Sequence, residues 1–523
     1  MDNFQTFILL MFLASLLVSF SQKIHIPYPI SLILGGAAIG FNSYLHPIFF
    51  DPNLILLIVL PPVLYYSAFG IFIREFKRNW REILSLALGL VLITTLIVGM
   101  LFKWLFPDLP WALAFAFGAI ISPPDAIAAT TILKRFSISN RLLTILEGES
   151  LVNDASALVL YRIAVVALVS GTFSFSEASV NFVKVVLGGV FVGAILGLSM
   201  QAFSRRYLEP VVGVVFSFTI PYITYILADV FGFSGVLAVV TNGLIGSQIL
   251  LRHPSSLRRI LGYAVWDIFV ILLNCFVFIL IGLQLRSLTS MMTYKQILTY
   301  SMYAFIIMTV MVIIRVLWVY AKNSIAYYQA KKHPESHAVC SRIVRESVVI
   351  AWAGMRGIVS LTAALALPYM LPNGMPLEGR NEVIFITFVV ILLTLLIPGL
   401  TLPYLIQRLK IHHQPEYHLI LKVKKQLMKV AEEALMRLHK QKKINETEFK
   451  FLKKYFNLQH RVYENIPKKQ LEDLEEAKRI VVKEQRKKLF EIWDSLEIDD
   501  KLLLELEQEL DITETHLARA ELV

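Results

Sequence analysis

Glu147 to Tyr161 reads E-G-E-S-L-V-N-D-A-S-A-L-V-L-Y and lies inside an apolar run from Leu142 to Val169. That run is long enough to cross a bilayer, which takes about 20 helical residues. Yet it carries Glu147, Glu149 and Asp154, and a carboxylate at mid-helix costs roughly 2.5–3.5 kcal/mol to insert. At about 3.6 residues per turn, Ser150 and Asp154 share one face, and Glu149 and Asn153 the adjoining one. Two polar pairs therefore stand side by side near the middle of a span. Groups that costly point to an ion or proton pathway; the competing reading is a polar stripe that only glues helices together.

The rest of the 523-residue chain suits a membrane, with 56% hydrophobic residues, a mean hydropathy of +0.63 and repeated uncharged runs of membrane length. The formal net charge is +11, which in a soluble protein would suggest nucleic acid. Its distribution argues otherwise. From Ile411 to Val523 there are 22 basic and 22 acidic residues, so the excess, 28 basic against 17 acidic, belongs to the membrane part. It reflects topology, and no nucleic-acid partner is expected. Cys275 falls in an apolar span and Cys340 in a basic loop, which argues against a disulfide framework. The apolar run from Phe4 to Phe20 lacks a basic n-region and a small-x-small cleavage site, so it reads as a retained first span.

Hydrophobic runs predict an all-α polytopic membrane protein with about thirteen spans, at 3–20, 27–42, 53–72, 82–106, 111–133, 142–169, 178–203, 209–228, 233–251, 262–285, 296–321, 346–370 and 382–407. With the N-terminus outside, the inward loops carry 18 basic residues and the outward loops four. This positive-inside bias places the C-terminal part in the cytoplasm and suits a multi-pass protein of the cell membrane. The expected division is a transmembrane domain over residues 1–410 and a cytoplasmic helical domain over 411–523. In the latter, charge alternates with leucine at helical spacing from Lys422 onward, with Pro467 the only proline beyond Pro415. A solvated helical tail is its plainest reading, and its ligand is unknown.

Span five is interrupted at I-I-S-P-P-D-A-I-A, where Ser122, Pro123, Pro124 and Asp125 interrupt apolar sequence. The prolines remove two backbone donors and clash with the preceding turn, and freed backbone groups at membrane depth must be buried in protein or line a cavity. Span twelve is interrupted at A-G-M-R-G-I-V-S, where Gly354 and Gly357 flank Arg356. Span thirteen has its own irregularity at Pro398–Gly399, so the late break falls in one or the other. With span seven as a linker, spans 1–6 and 8–13 make two inverted six-helix repeats in which five pairs with twelve. Interrupted spans at matching places are the pointer to a transporter site.

A small hard cation needs oxygen ligands. Asp125 and Asp154, with Ser150, Asn153 and the carbonyls freed between Ser122 and Pro124, would supply them for Na+ or K+. A carboxylate at the midplane can hold a proton or the cation, and competition for one group couples the two fluxes as antiport. Arg356, always charged, needs a carboxylate partner; Glu149, beside the Ser150–Asp154 face, is the expected one, tying span six to span twelve. Glu147, a turn nearer the cytoplasmic end, belongs to an entrance funnel. Asp267, Lys184, Arg162 and Arg315 read as snorkelling or helix-pairing charges. No G-K-[ST] phosphate loop and no T-V-G-Y-G filter is present, and the adjacent His412 and His413 lack metal-ligand spacing, so no enzyme activity and no cofactor is expected.

E-G-E-S-L-V-N-D-A, together with A-G-M-R-G and L-P-P-V-L-Y-Y-S-A (Leu60 to Ala68), resembles the monovalent cation:proton antiporter superfamily, in its branch of sodium/proton exchangers. The resemblance covers roughly Met1 to Lys410. It implies Asn153 and Asp154 as the Asn-Asp pair, Asp154 as the carrier, Glu149 and Arg356 as a bridging ion pair, and Asp125 as the acid of the unwound fifth span. The family usually has Thr- or Val-Asp-Pro there; here Pro123-Pro124-Asp125-Ala126 puts proline before the acid, so different carbonyls are freed. The Asn-Asp form implies electroneutral exchange of Na+, K+ or Li+ for protons, serving pH and sodium homeostasis. The resemblance also implies a homodimer and elevator-like motion of a core holding spans 5, 6, 12 and 13. An ion-responsive membrane sensor and a cation channel without proton coupling are the alternatives.

Overall fold

The computed structural model describes residues 3–24, 27–40, 52–71, 73–136, 138–171, 175–251, 256–290, 292–331, 337–372, 374–411, 417–454, 481, 483–492, 506 and 510. His412, His413, Pro415 and Pro467 lie outside them. The chain divides into two compact units, Met1–His413 and Gln414–Val523.

The first unit is helical throughout its described elements. Helices α1 (Asn3–Lys23), α2 (Tyr28–Gly40) and α3 (Pro52–Phe69) come first. Then α4 (Ile73–Leu84) passes through a π-helical stretch (Ser85–Leu90) into α5 (Val91–Leu105). Two half-helices follow, α6 (Trp111–Ile121) and α7 (Ala126–Leu133), and then the long α8 (Asn140–Ser170), which stops at Gly171 with φ of 72°. Next come α9 (Phe175–Tyr207), α10 (Pro210–Val230), α11 (Gly235–Leu251), α12 (Ser256–Ser290) and α13 (Tyr294–Lys331). A second pair of half-helices, α14 (His337–Trp352) and α15 (Ile358–Leu365), precedes α16 (Arg380–Leu409). In the second unit α17 (Tyr417–Lys440) carries the charged, leucine-spaced sequence.

Eight stretches among the described residues are long and apolar enough to cross a membrane: Ile73–Leu105, Trp111–Leu133, Asn140–Ser170, Ser179–Tyr207, Pro210–Val230, Leu257–Ser290, Tyr294–Lys322 and Arg380–Leu409. Four shorter apolar helices accompany them, Ile8–Ser21, Tyr28–Gly40, Leu57–Phe69 and Gly235–Leu250. Helix α9 leaves Val180, Leu187, Phe191 and Leu198 exposed, a face that water would not favour and lipid does. The molecule is thus an all-α polytopic membrane protein.

Both interruptions predicted in spans five and twelve occur, between Ile121 and Ala126 and between Trp352 and Ile358. The late irregularity at Pro398 does not break its helix, since α16 runs through Pro398 and Pro403. Proline pairs do not decide the matter alone either: Pro61 and Pro62 sit inside an unbroken α3. What distinguishes the Pro123–Pro124 break is a partner that takes up the freed backbone groups.

Helices α2 and α12 cross closely enough that a Cβ on Gly36 would overlap the Ile279 carbonyl, and one on Gly282 the Ile33 carbonyl. Small residues permit such approach where dispersion, rather than water exclusion, holds helices together. Gly282→Val should therefore lower the detergent melting temperature, with a cost of about 1–3 kcal/mol from overpacking. An unchanged melting temperature would show that the crossing is slack.

Candidate functional site

The two breaks meet. The Asp125 N–H donates to the Met355 carbonyl at 2.7 Å. From the other strand of the crossing, the Arg356 guanidinium donates to the carbonyls of Ile121 (3.0 Å), Ser122 (3.3 Å) and Gly354 (2.6 Å). Ile121 and Ser122 end α6, where carbonyls lose their helical partners and the dipole is negative. Arg356 therefore acts as a cationic cap on that half-helix. At the other side of the break Asp125 is the N-cap of α7, its Oδ1 accepting from Ile127 N–H at 2.8 Å. The Ser150 Oγ accepts from Ala126 N–H at 3.3 Å, and Asn153 Nδ2 donates to the Pro124 carbonyl at 3.0 Å. Every freed group named here is satisfied by a side chain or by the opposite break.

Against the crossing lies a cavity of about 330 Å³. Asp125, Ser150 and Asp154 line it, with Thr130 and Thr131 of α7 and Ser360 of α15. Asp154 is buried and lies within electrostatic reach of Asp125. The Asp125 carboxylate also rests on Gly357, where a Cβ would displace it. Gly357 caps the N-terminus of α15, so this carboxylate faces the positive ends of two half-helices, its own and α15. Tyr28 and Asn274 close the cavity from α2 and α12.

The expected oxygen cage is only partly gathered here. Asp125, Asp154 and Ser150 reach the cavity; Ser122 and Asn153 do not line it. Ser122 is buried, and its Oγ donates to the Ala119 carbonyl of its own helix at 3.1 Å. Asn153 is spent on the Pro124 carbonyl, and its buried Oδ1 has no donor among the described residues. The lining hydroxyls of Thr130, Thr131 and Ser360 and the amide of Asn274 escaped sequence reading, because lone Ser, Thr or Asn residues in apolar helices carry no motif.

The expected Glu149–Arg356 ion pair is not formed. Glu149 instead takes both arms of Arg315, from α13, at 2.5 Å (Nη1–Oε1) and 2.7 Å (Nη2–Oε2), with side chains only 2% and 3% exposed. Arg315 Nε also donates to the Ile350 carbonyl near the end of α14. The reason is positional: Arg356 sits in the break and caps its carbonyls, while the second intramembrane arginine, Arg315 of α13, reaches Glu149 with both arms. The two guanidinium groups flank Gly354, where a Cβ would meet both. The signal was present in the sequence, since Arg315 is a charge in mid-span, but spacing could not rank two arginines. Of the other charges read as helix-pairing, Arg162 of α8 meets Asp229 of α10 at 2.7 Å, and Asp267 of α12 accepts from Tyr66 of α3.

Two half-helix pairs crossing over buried carboxylates make the core of a membrane ion transporter. Residues 8–408 match the family model described as sodium/hydrogen exchanger, transmembrane, and the chain belongs to that family. It is a cation/proton exchanger. It is 32% identical over 428 residues to the uncharacterized Na+/H+ exchanger YjcE of Escherichia coli, covering 79% of this chain and 77% of that one. It is also 32% identical over 401 residues to the sodium, potassium, lithium and rubidium/H+ antiporter of Bacillus pumilus, covering 73% of this chain and 58% of that relative. Among solved structures, the sodium proton antiporter MjNhaP1 of Methanocaldococcus jannaschii at pH 8 shares the fold, with a TM-score of 0.61 at 21% identity. That match covers 78% of this chain and 98% of the archaeal one.

Arg315→Gln and Glu149→Gln should each destabilise the protein in detergent, because breaking a buried pair typically costs about 3–5 kcal/mol. The double change should cost well under their sum. The same cycle run with Arg356→Gln should give the smaller coupling; a larger one would return Glu149 to Arg356.

Proposed function

We propose that the chain exchanges one monovalent cation, Na+ with K+ or Li+ as further substrates, for one proton through competition at Asp154. The observation that carries this is the position of Asp154, buried and lining one cavity with Asp125. One carboxylate able to hold either a proton or the cation couples the fluxes without a separate gate. Asp125 and Ser150 supply further oxygens, and Asn153 and Ser122 act behind them by holding the unwound backbone in shape.

The same reading takes the broken α14–α15 pair and the shorter apolar helices as crossings, giving thirteen spans in two inverted repeats around the linker α9. The core of spans 5, 6, 12 and 13 would slide against α3 and α12 in a homodimer of the cell membrane, N-terminus outside and C-terminus in the cytoplasm. Electroneutral exchange in that setting serves pH and sodium homeostasis, with the Gln414–Val523 unit as a regulatory or dimer-contacting part. The identity to the sodium, potassium, lithium and rubidium/H+ antiporter of Bacillus pumilus favours a broad monovalent cation range.

In proteoliposomes, dequenching of a pH-sensitive dye should follow addition of Na+, K+ or Li+ with wild-type protein. Asp154→Asn should insert normally and lose exchange at least about a hundredfold, since the carrier group is gone. Exchange at the wild-type rate would remove Asp154 from the mechanism. Acid gives a second check. Once the carrier carboxylate is mostly protonated, each further pH unit downward should raise KM for the cation about tenfold while the maximal rate holds. A maximal rate that falls at constant KM would contradict competition for one group.

A further inference from the structure

The cavity has a mouth with its own charges, and the two walls are built alike. On α8 the lining positions are Glu147, Ser150, Leu151 and Asp154; on α12 they are Asp267, Val270, Ile271 and Asn274. Both sets follow i, i+3, i+4, i+7, one helical face over two turns, or about 10 Å. Asp154 and Asn274 are buried at the inner end, whereas Asp267 is exposed and Glu147 half-buried at the outer end.

These outer carboxylates have different partners. Glu147 is bridged to Lys134 at 3.1 Å, at the end of α7. Its charge is cancelled by a cation from within the protein. Asp267 accepts from the Tyr66 hydroxyl at 2.5 Å, and that partner is a neutral phenol; among the described residues no cation pairs with this carboxylate. The phenol is held rigidly. Its ring stacks on Trp266 at 5.7 Å and 4° between planes, and the Trp266 Nε1 donates to Ser217 Oγ at 2.8 Å. A fixed negative group at the opening of a low-dielectric cleft raises the local cation concentration.

We propose that Asp267, positioned by Tyr66, is the cation-recruiting carboxylate at the cavity mouth, and that Lys134 silences the second mouth carboxylate, Glu147. This rests on the exchange reading above. Asp267 adds affinity without taking part in the proton–cation competition deeper in the cavity. Its effect is through-space, so it depends on ionic strength in a way that a packing role does not.

The test is cation-driven proton flux in proteoliposomes of full-length protein, measured against Na+ concentration with choline chloride setting the ionic strength. Asp267→Asn should raise KM about twofold at low salt with the maximal rate kept, the size expected for one charge about 10 Å from the site in an aqueous dielectric. The deficit should close as choline chloride approaches about 1 M, where the screening length is about 3 Å. Asp267→Glu should restore most of the affinity. Lys134→Gln should lower KM about twofold at low salt, and Lys134→Gln with Glu147→Gln should return it to the wild-type value. An unchanged KM in Asp267→Asn at low salt, or a deficit equal at both ionic strengths, would overturn the proposal while wild-type flux upheld exchange. Wild-type protein without cation-driven proton flux would overturn both.

Discussion

The structure depends on how two broken helices satisfy each other's backbone. A carbonyl or N–H left unpaired in hydrocarbon costs several kcal/mol, and two breaks at one depth would be prohibitive if each stood alone. Here the Asp125 amide finds Met355, and Arg356 spreads its donors over Ile121, Ser122 and Gly354. Arg356 is thus committed to backbone, and Glu149 must be neutralised by a different helix, α13, through Arg315. The position of three charges follows from one crossing.

The crossing also sets the chemistry. Holding α7 and α15 with their N-termini toward Asp125 surrounds that carboxylate with positive helix ends, while Asp154 caps no helix and projects from within the uninterrupted α8. Two carboxylates in one cavity consequently meet different fields, a difference that suits the proposed division between a coordinating Asp125 and a carrier Asp154. Behind α8 the π-helical stretch adds a further constraint. Its Ala87 carbonyl accepts from Ser156 Oγ at 2.7 Å, fixing the helix two residues beyond Asp154.

Much of this was legible in the sequence, because membrane insertion makes intramembrane charge and broken helices conspicuous. The apolar runs, both interruptions and the E-G-E-S-L-V-N-D stretch each announced themselves. Partner choice did not. Spacing along one helix placed Glu149 beside the site, but whether Arg315 or Arg356 neutralised it depended on which carbonyls the break exposed, a three-dimensional fact. Ser122 and Asn153 were read as ligands from their position and turned out to serve neighbouring backbone. Asn274 and Ser360 were invisible for lack of pattern, and the π-helical stretch had no sequence mark in S-L-A-L-G-L.

The central claim, that one carboxylate trades a proton for a cation, is tested most directly by proton release on binding. Detergent-solubilised protein titrated with Na+ in buffers of different ionisation enthalpy reports, calorimetrically, the protons released per cation bound. At a pH where the carrier is protonated the account predicts one proton released per Na+, and no Na+ binding when Asp154 is replaced by Asn. Saturable Na+ binding without proton release would contradict it.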